Sequence, residues 1–250
     1  CDENVMVPMS EINEARRLAA EALDAARLEA FAPVRAQRHK VPRDLVPPEK
    51  ISRSRHALLT VHTDTAAKAQ AALAGGADYI IFGGDIFGSR QLPQQAYAEV
   101  AGLAQNYGKK WAAATPRIVK EGQLPYFAEL FACWQQLKPD AVYISNIGLW
   151  QLARQYSGLP LWADMSLNIY NDQNLEFWRE QGAVGATLSA ELTMAQVEHL
   201  AAVSPVPVEC MVQGRIEMMV SEYCVGGSFL GDLHQGACKF NCREQLFLSD

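Results

Sequence analysis

The stretch ALLTVHTDTAAKAQAALAGGADYIIFGGD, residues 57–85, contains the repeat unit from which the fold follows. It begins with a short apolar run, Ala57 to Val61, that reads as a strand. Thr65 to Leu73 then has the composition of a helix, and Gly75-Gly76 stands where a helix C-cap belongs. Tyr79 to Phe82 is a second apolar run, closed by Gly83-Gly84 and followed by Asp85. A strand, a helix and a strand in about two dozen residues imply a parallel sheet. Strands this uniformly apolar fit burial on both faces.

The same rhythm continues downstream. Strand candidates fall at 111–114, 141–144, 161–163, 186–188 and 208–212. Helical stretches lie between them at 94–106, 126–137, 149–156, 173–181 and 194–202, with Gly108, Gly158 and Gly182 at further cap positions. Seven such units predict an α/β protein built as a parallel (β/α)8 TIM-like barrel, whose working face lies at the strand C-termini. A doubly wound open sheet is the alternative, but no Gly-x-Gly-x-x-Gly turn follows the first strand. An eighth strand is missing unless Leu246, Phe247 and Leu248 supply it, so an incomplete barrel is expected at the C-terminal end.

Ahead of the barrel, Ser10 to Phe31 predicts a long helix with Ser10 as N-cap and Glu11 in the first turn. Its Ile12, Ala15, Leu18, Ala19, Ala22 and Ala26 share a face, which predicts packing against the outside of the barrel. Residues 32–55 carry Pro33, Pro42, Pro47 and Pro48, with seven Lys or Arg against Asp44 and Glu49. That segment reads as a basic linker, either plainly solvated or able to touch RNA phosphate. The organisation is therefore a helical appendage at 1–31, a linker at 32–55 and a barrel with a cysteine-rich end at 56–250.

At 250 residues and 49% hydrophobic, the chain can bury one good core. No run of 18 apolar residues occurs and no secretory leader opens the sequence, so a cytoplasmic protein without a membrane span is expected. A first residue of Cys rather than Met suggests a piece of a longer chain. The net charge of −6 gives no global nucleic-acid signal. His-Glu-x-x-His, Gly-x-Ser-x-Gly and the P-loop are all absent from the sequence.

Residues just after the strands form a set that packing does not require: His62, Asp85, Arg117, Asn146, Asp164 with Ser166 and Asn168, Glu191, then Gln213 with Arg215. In a barrel they would meet at one mouth. Arginine forks suit phosphate or carboxylate, and Asp or Glu beside them can act as acid, base or ion-pair partner. Asp85, Arg117, Asp164, Glu191 and Arg215 are the catalytic candidates. The alternative is that βα loops are polar anyway and that several of these residues only cap helices.

The C-terminal region, 207–242, gathers Cys210, Cys224, Cys238 and Cys242 around a glycine-rich linker. Cys238-x3-Cys242 would share a helix face, and Cys224 could swing in through Gly226, Gly227, Gly231 and Gly236. Three thiolates suit an iron–sulfur cluster or zinc, and three buried free cysteines are the alternative. Cys133 reads as core within its helix, Cys210 as a buried residue of the strand 208–212, and Cys1 as part of the appendage.

The run GRIEMMVSEYC at 214–224, with the glycine-rich segment and C-x3-C after it, resembles peptidase family U32, the collagenase-like peptidases. Gly83-Gly84-Asp85, Thr115 to Ile118, Ala163-Asp164 with Ser166 to Asn171, and Ala186 to Ser189 through Glu191-Leu192 resemble it too, from about His56 to the end. The likeness is to the late barrel of long multi-domain members. It implies a 4Fe-4S cluster on Cys224, Cys238 and Cys242, with the fourth thiolate and the last strand just beyond this end. It further implies hydroxylation of RNA or of a small aromatic quinone precursor, with a small-molecule co-substrate and further domains. A peptidase, as the family name says, and a non-catalytic RNA-positioning barrel are the alternatives.

Overall fold

The computed structural model describes residues 6–31, 57–85, 92–156, 158–214, 216 and 223–232. The chain divides into two compact units, Cys1–Val46 and Pro47–Asp250. The first contains helix α1 (Met9–Phe31). Its start lies one residue before the expected cap, because the Pro8 carbonyl already accepts from the amides of Glu11 and Ile12. No residue of α1 is buried.

In the second unit strands and helices alternate: β1 (Thr60–Thr63), α2 (Ala66–Ala74), β2 (Tyr79–Gly83), α3 (Gln94–Asn106), β3 (Lys110–Ala114), α4 (Leu124–Leu137) and β4 (Ala141–Ile144). Then come α5 (Ile147–Ala153), β5 (Leu161–Ala163), α6 (Asp172–Glu180), β6 (Gly185–Thr187), α7 (Met194–Val203), β7 (Val208–Glu209) and the short α8 (Val225–Phe229). All seven strands pair in parallel and in chain order, β1 through β7. An order without reversal winds the sheet one way only, which excludes the doubly wound alternative. The result is an incomplete TIM-like barrel, a curled half-barrel of seven strands. Leu246 to Leu248, considered for an eighth, lie outside the described residues.

Local chemistry explains the element boundaries. Thr65, Asn146, Asn171 and Thr193 cap α2, α5, α6 and α7 through their side-chain oxygens. Gly76, Gly108 and Gly182 hold positive φ just after α2, α3 and α6, as the glycine pattern predicted, while Gly158 does so within the loop between α5 and β5. β7 is shorter than the expected 208–212. Its neighbour β6 stops at Thr187, paired with Glu209, so the chain beyond has no strand to bond.

Strand parity sorts the core into two layers. Ile80, Phe82, Trp111, Ala113, Val142 and Ile144 belong to the larger cluster, with Phe131, Trp134 and Leu149 of the helices. Tyr79, Ile81, Ala112, Ala114, Ala141 and Tyr143 form a second cluster with Trp162 on the inner face. The curl brings the edge strands within side-chain reach: Thr60 Oγ1 on β1 donates to Glu209 Oε2 on β7 at 2.8 Å. No described helix is long and apolar enough to cross a membrane.

Candidate functional site

Gly83 and Gly84 lead out of β2 with φ of 102° and 84°. A Cβ on Gly83 would lie 2.9 Å from both the Ala114 carbonyl and the Tyr97 hydroxyl, so only glycine allows this turn. The turn delivers Asp85 to the exit of β3, where its Oδ1 accepts the Arg117 amide at 3.0 Å. The Arg117 carbonyl in turn accepts from Asn146 Nδ2 at 3.0 Å, while Asn146 Oδ1 caps α5. Three successive strand exits are thereby laced together along the rim.

A second set of bonds runs just inside. Ser145 donates its amide to Thr115 Oγ1 at 3.0 Å and its hydroxyl to Asp164 Oδ2 at 2.5 Å. Asp164 Oδ1 accepts the Met165 amide at 2.8 Å, and Ser166 Oγ donates to the Ser145 carbonyl at 3.0 Å. Asp164 is thus held by both oxygens.

The inner face carries a third set. Glu209 Oε2 accepts from Tyr143 Oη at 3.1 Å as well as from Thr60. Tyr143 stacks on Trp162 with ring centroids 5.1 Å apart and planes 18° from parallel. Trp162 Nε1 donates to Thr187 Oγ1 at 2.9 Å. His62, exposed, meets the Tyr143 ring edge-on at 6.0 Å.

Electrostatics ties the three sets into one group. Burial pushes the Asp85 carboxyl above its usual range, although its residue keeps an exposed side; the Arg117 amide and charge oppose this, Asp164 adds to it and His62 subtracts. Glu209 is likewise raised, first by burial, against the Thr60 and Tyr143 hydrogen bonds and the His62 charge, and with a contribution from Asp164. Burial, and then the neighbouring Glu209 charge, hold the Tyr143 phenol well above its ordinary value, so it stays a donor. Carboxyls raised in this way can hold or release a proton nearer neutrality than exposed ones.

Among the expected mouth residues, Asp85, Arg117, Asn146, Asp164, Ser166 and His62 are brought together. His62 was expected just past the first strand but lies within β1. Glu191 is engaged elsewhere: its Oε2 accepts from Tyr170 Oη at 3.1 Å and its amide bonds Ser189, with no described bond to the Asp85–Asp164–Glu209 group. Asn168 takes a left-handed turn at φ 61° and is exposed, as is Gln213. Arg215 lies outside the described residues. Glu209, Tyr143, Thr60 and Ser145 were not anticipated. The signal for Glu209 was a lone carboxylate inside an apolar run, opposite in parity to Val208 and Cys210.

Of the cysteines, Cys224 is exposed and caps α8, its Sγ accepting the Gly227 amide at 3.2 Å. Cys238 and Cys242 lie outside the described residues, as does Cys1. Cys210 is exposed, which corrects its reading as a buried strand residue: β7 has already ended. Cys133 on α4 is half-buried. Among the described residues no three or more His, Cys, Asp or Glu are arranged to hold a metal ion.

Comparison with known proteins adds a lineage. A family model described as peptidase family U32 matches residues 64–248. The tRNA hydroxylation protein P of Escherichia coli (strain K12) is 26% identical over 144 residues, covering 56% of this chain and 32% of that protein. The 23S rRNA 5-hydroxycytidine C2501 synthase of the same organism is 25% identical over 205 residues, 80% of this chain and 31% of that one. A protein named uncharacterized protease MJ0090, from Methanocaldococcus jannaschii, is 28% identical over 164 residues, 63% of this chain and 40% of that one. The chain thus spans roughly a third of the length of these curated relatives. The solved structure of the U32 peptidase Mk0906 superposes with a TM-score of 0.50 at 11% identity, covering 64% of this chain and 71% of that one, a likeness of fold.

Proposed function

Because the chain belongs to peptidase family U32, we propose that its half-barrel is the core of an iron–sulfur enzyme that hydroxylates RNA. The observation that carries this reading is the group of Asp85, Asp164, Glu209 and His62 at and inside the strand exits, beside the Tyr143–Trp162 stack. A planar base fits such a wall of rings and acceptors. Two relatives named for the hydroxylation of tRNA and rRNA support the same class of substrate. Arg117, at the rim, suits a phosphate of the strand that carries the base.

Cys224, Cys238 and Cys242 would hold a 4Fe-4S cluster, with a fourth thiolate from outside this segment. Cys224 fits that role as an exposed sulfur that already accepts an amide hydrogen bond, the kind of bond that tunes cluster sulfurs. Such a cluster, when bound, supplies one-electron chemistry. The protein's own groups hold the base, fix its edge by hydrogen bonds and keep a proton at Asp85. Zinc on the same cysteines is the competing ligand.

A peptidase is the second reading, favoured by the name of the M. jannaschii relative and by the short Ser145–Asp164 contact. The two readings part in one experiment. Protein purified without air should be brown and carry iron and sulfide that are lost in Cys238→Ala. Cellular RNA should contain a nucleoside heavier by one oxygen only when the gene is intact. A colourless protein with one zinc per chain that cleaves peptides would overturn the hydroxylase reading.

A further inference from the structure

The inner face of the half-barrel contains one carboxylate whose hydrogen bonding is lopsided. Glu209 Oε2 takes both bonds, from Thr60 and from Tyr143, while Oε1 accepts none from the described residues. A purely structural link between β1 and β7 needs one acceptor oxygen and no charge, which a glutamine would supply. The carboxylate instead lies beside Tyr143 of the inner-face cluster, half-buried, with its second oxygen open to a donor.

The surroundings limit what that donor can be. Trp162 is half-buried and cannot swing aside without cost: its ring lies over Gly185, leaving no room for a Cβ, and its indole N–H is fixed to Thr187. Tyr143 is packed against it and only 2% exposed. His62 is exposed at the same place, so solvent reaches the edge of the group. A donor that reaches Oε1 therefore approaches beside this rigid pair of rings, against which a flat ring packs better than a chain of tetrahedral carbons.

We propose that Glu209 is a specificity-determining residue that accepts, through Oε1, a ring N–H or amino hydrogen of a pyrimidine base, the class of base in the name of the rRNA relative, bound on the inner face. This deepens, and rests on, the reading of the chain as an RNA-acting enzyme. The residue positions the base by its edge. The neighbouring ring stack supplies the flat wall, and Thr60 with Tyr143 keeps the carboxylate from turning.

The test measures binding of fluorescent octanucleotides to the intact protein by anisotropy. The probes are octauridylate with its 3-methyluridine counterpart, and octacytidylate with its N4,N4-dimethylcytidine counterpart; each counterpart lacks the donor. Wild-type protein should bind at least one parent about tenfold more tightly than its methylated form, the worth of a hydrogen bond to a charged group. In Glu209→Gln, whose carbonyl still accepts from Thr60 and Tyr143, that preference should vanish while the methylated probe binds as before. Equal weakening of parent and methylated probes would make Glu209 a structural link and overturn the inference, leaving the RNA reading intact. A wild-type protein indifferent to methylation in both pairs overturns it without any variant. Failure of wild-type protein to bind any probe removes the RNA reading along with it.

Discussion

A Cβ on Gly185 would lie 2.1 Å from the Trp162 ring. Gly185→Ala must therefore displace the indole from Tyr143 and Thr187, and overpacking of this kind costs about 1–3 kcal/mol. Urea unfolding should show that loss, together with a change in tryptophan emission; an unchanged midpoint would mean the ring moves freely. Glu209 makes a pH prediction. Its folded value is raised, chiefly by burial, so the native state binds the extra proton. The contribution is fully present below the ordinary glutamate value and lost as pH rises through the raised one. The groups that face it, Thr60, Tyr143, His62 and Asp164, leave that direction unchanged. Stability should fall with rising pH across this window in the wild type, and Glu209→Gln should flatten the fall. Parallel pH profiles would contradict it. Arg117→Ala is the third case. The Asp85 and Asn146 bonds use its main-chain N–H and C=O and survive truncation. Affinity for RNA should drop by about tenfold, the worth of a charge-assisted contact, and unchanged affinity in anisotropy titrations would remove Arg117 from the interface.

The capped helices set the strand exits in place. Thr193 Oγ1 accepts from the Gln196 amide, and Gln196 reaches back to the Thr193 amide at 2.8 Å, a reciprocal cap on α7. Thr193→Ala should cost about 1 kcal/mol, read as a lower urea midpoint with the same slope. An unaltered midpoint would show that packing alone holds α7. The glycine caps were legible in the sequence because they depend only on residues a few positions apart, whereas the one side-chain cap expected, Ser10, lies inside α1. The length of β7 was not legible. Val208 to Val212 has strand composition throughout, and only the end of β6 at Thr187 stops the pairing. Cys210 was misread for the same reason. α1 shows the converse: its periodicity was sufficient to predict a helix, but not to say what covers the apolar face.

At the largest scale, the two edge strands β1 and β7 meet through the Thr60–Glu209 hydrogen bond. Thr60→Val should lower global stability by about 1 kcal/mol, the net worth of one hydrogen bond, with cooperativity preserved. A variant as stable as wild type would show that the strands hold their curvature unaided.

The sequence by itself determined that strands and helices alternate, that the sheet is parallel, and that polar residues follow the strands, because each of these is written in local spacing. It also carried the family, through motifs spread over most of the barrel. Tertiary structure alone decided which polar residues share a site. Asp85 meets Arg117 across 32 positions, and Thr60 meets Glu209 across 149. Glu191 follows a strand like the others, yet it is taken by Tyr170. Such choices depend on the curvature of the sheet and on strand parity, which bring together residues that no local pattern connects.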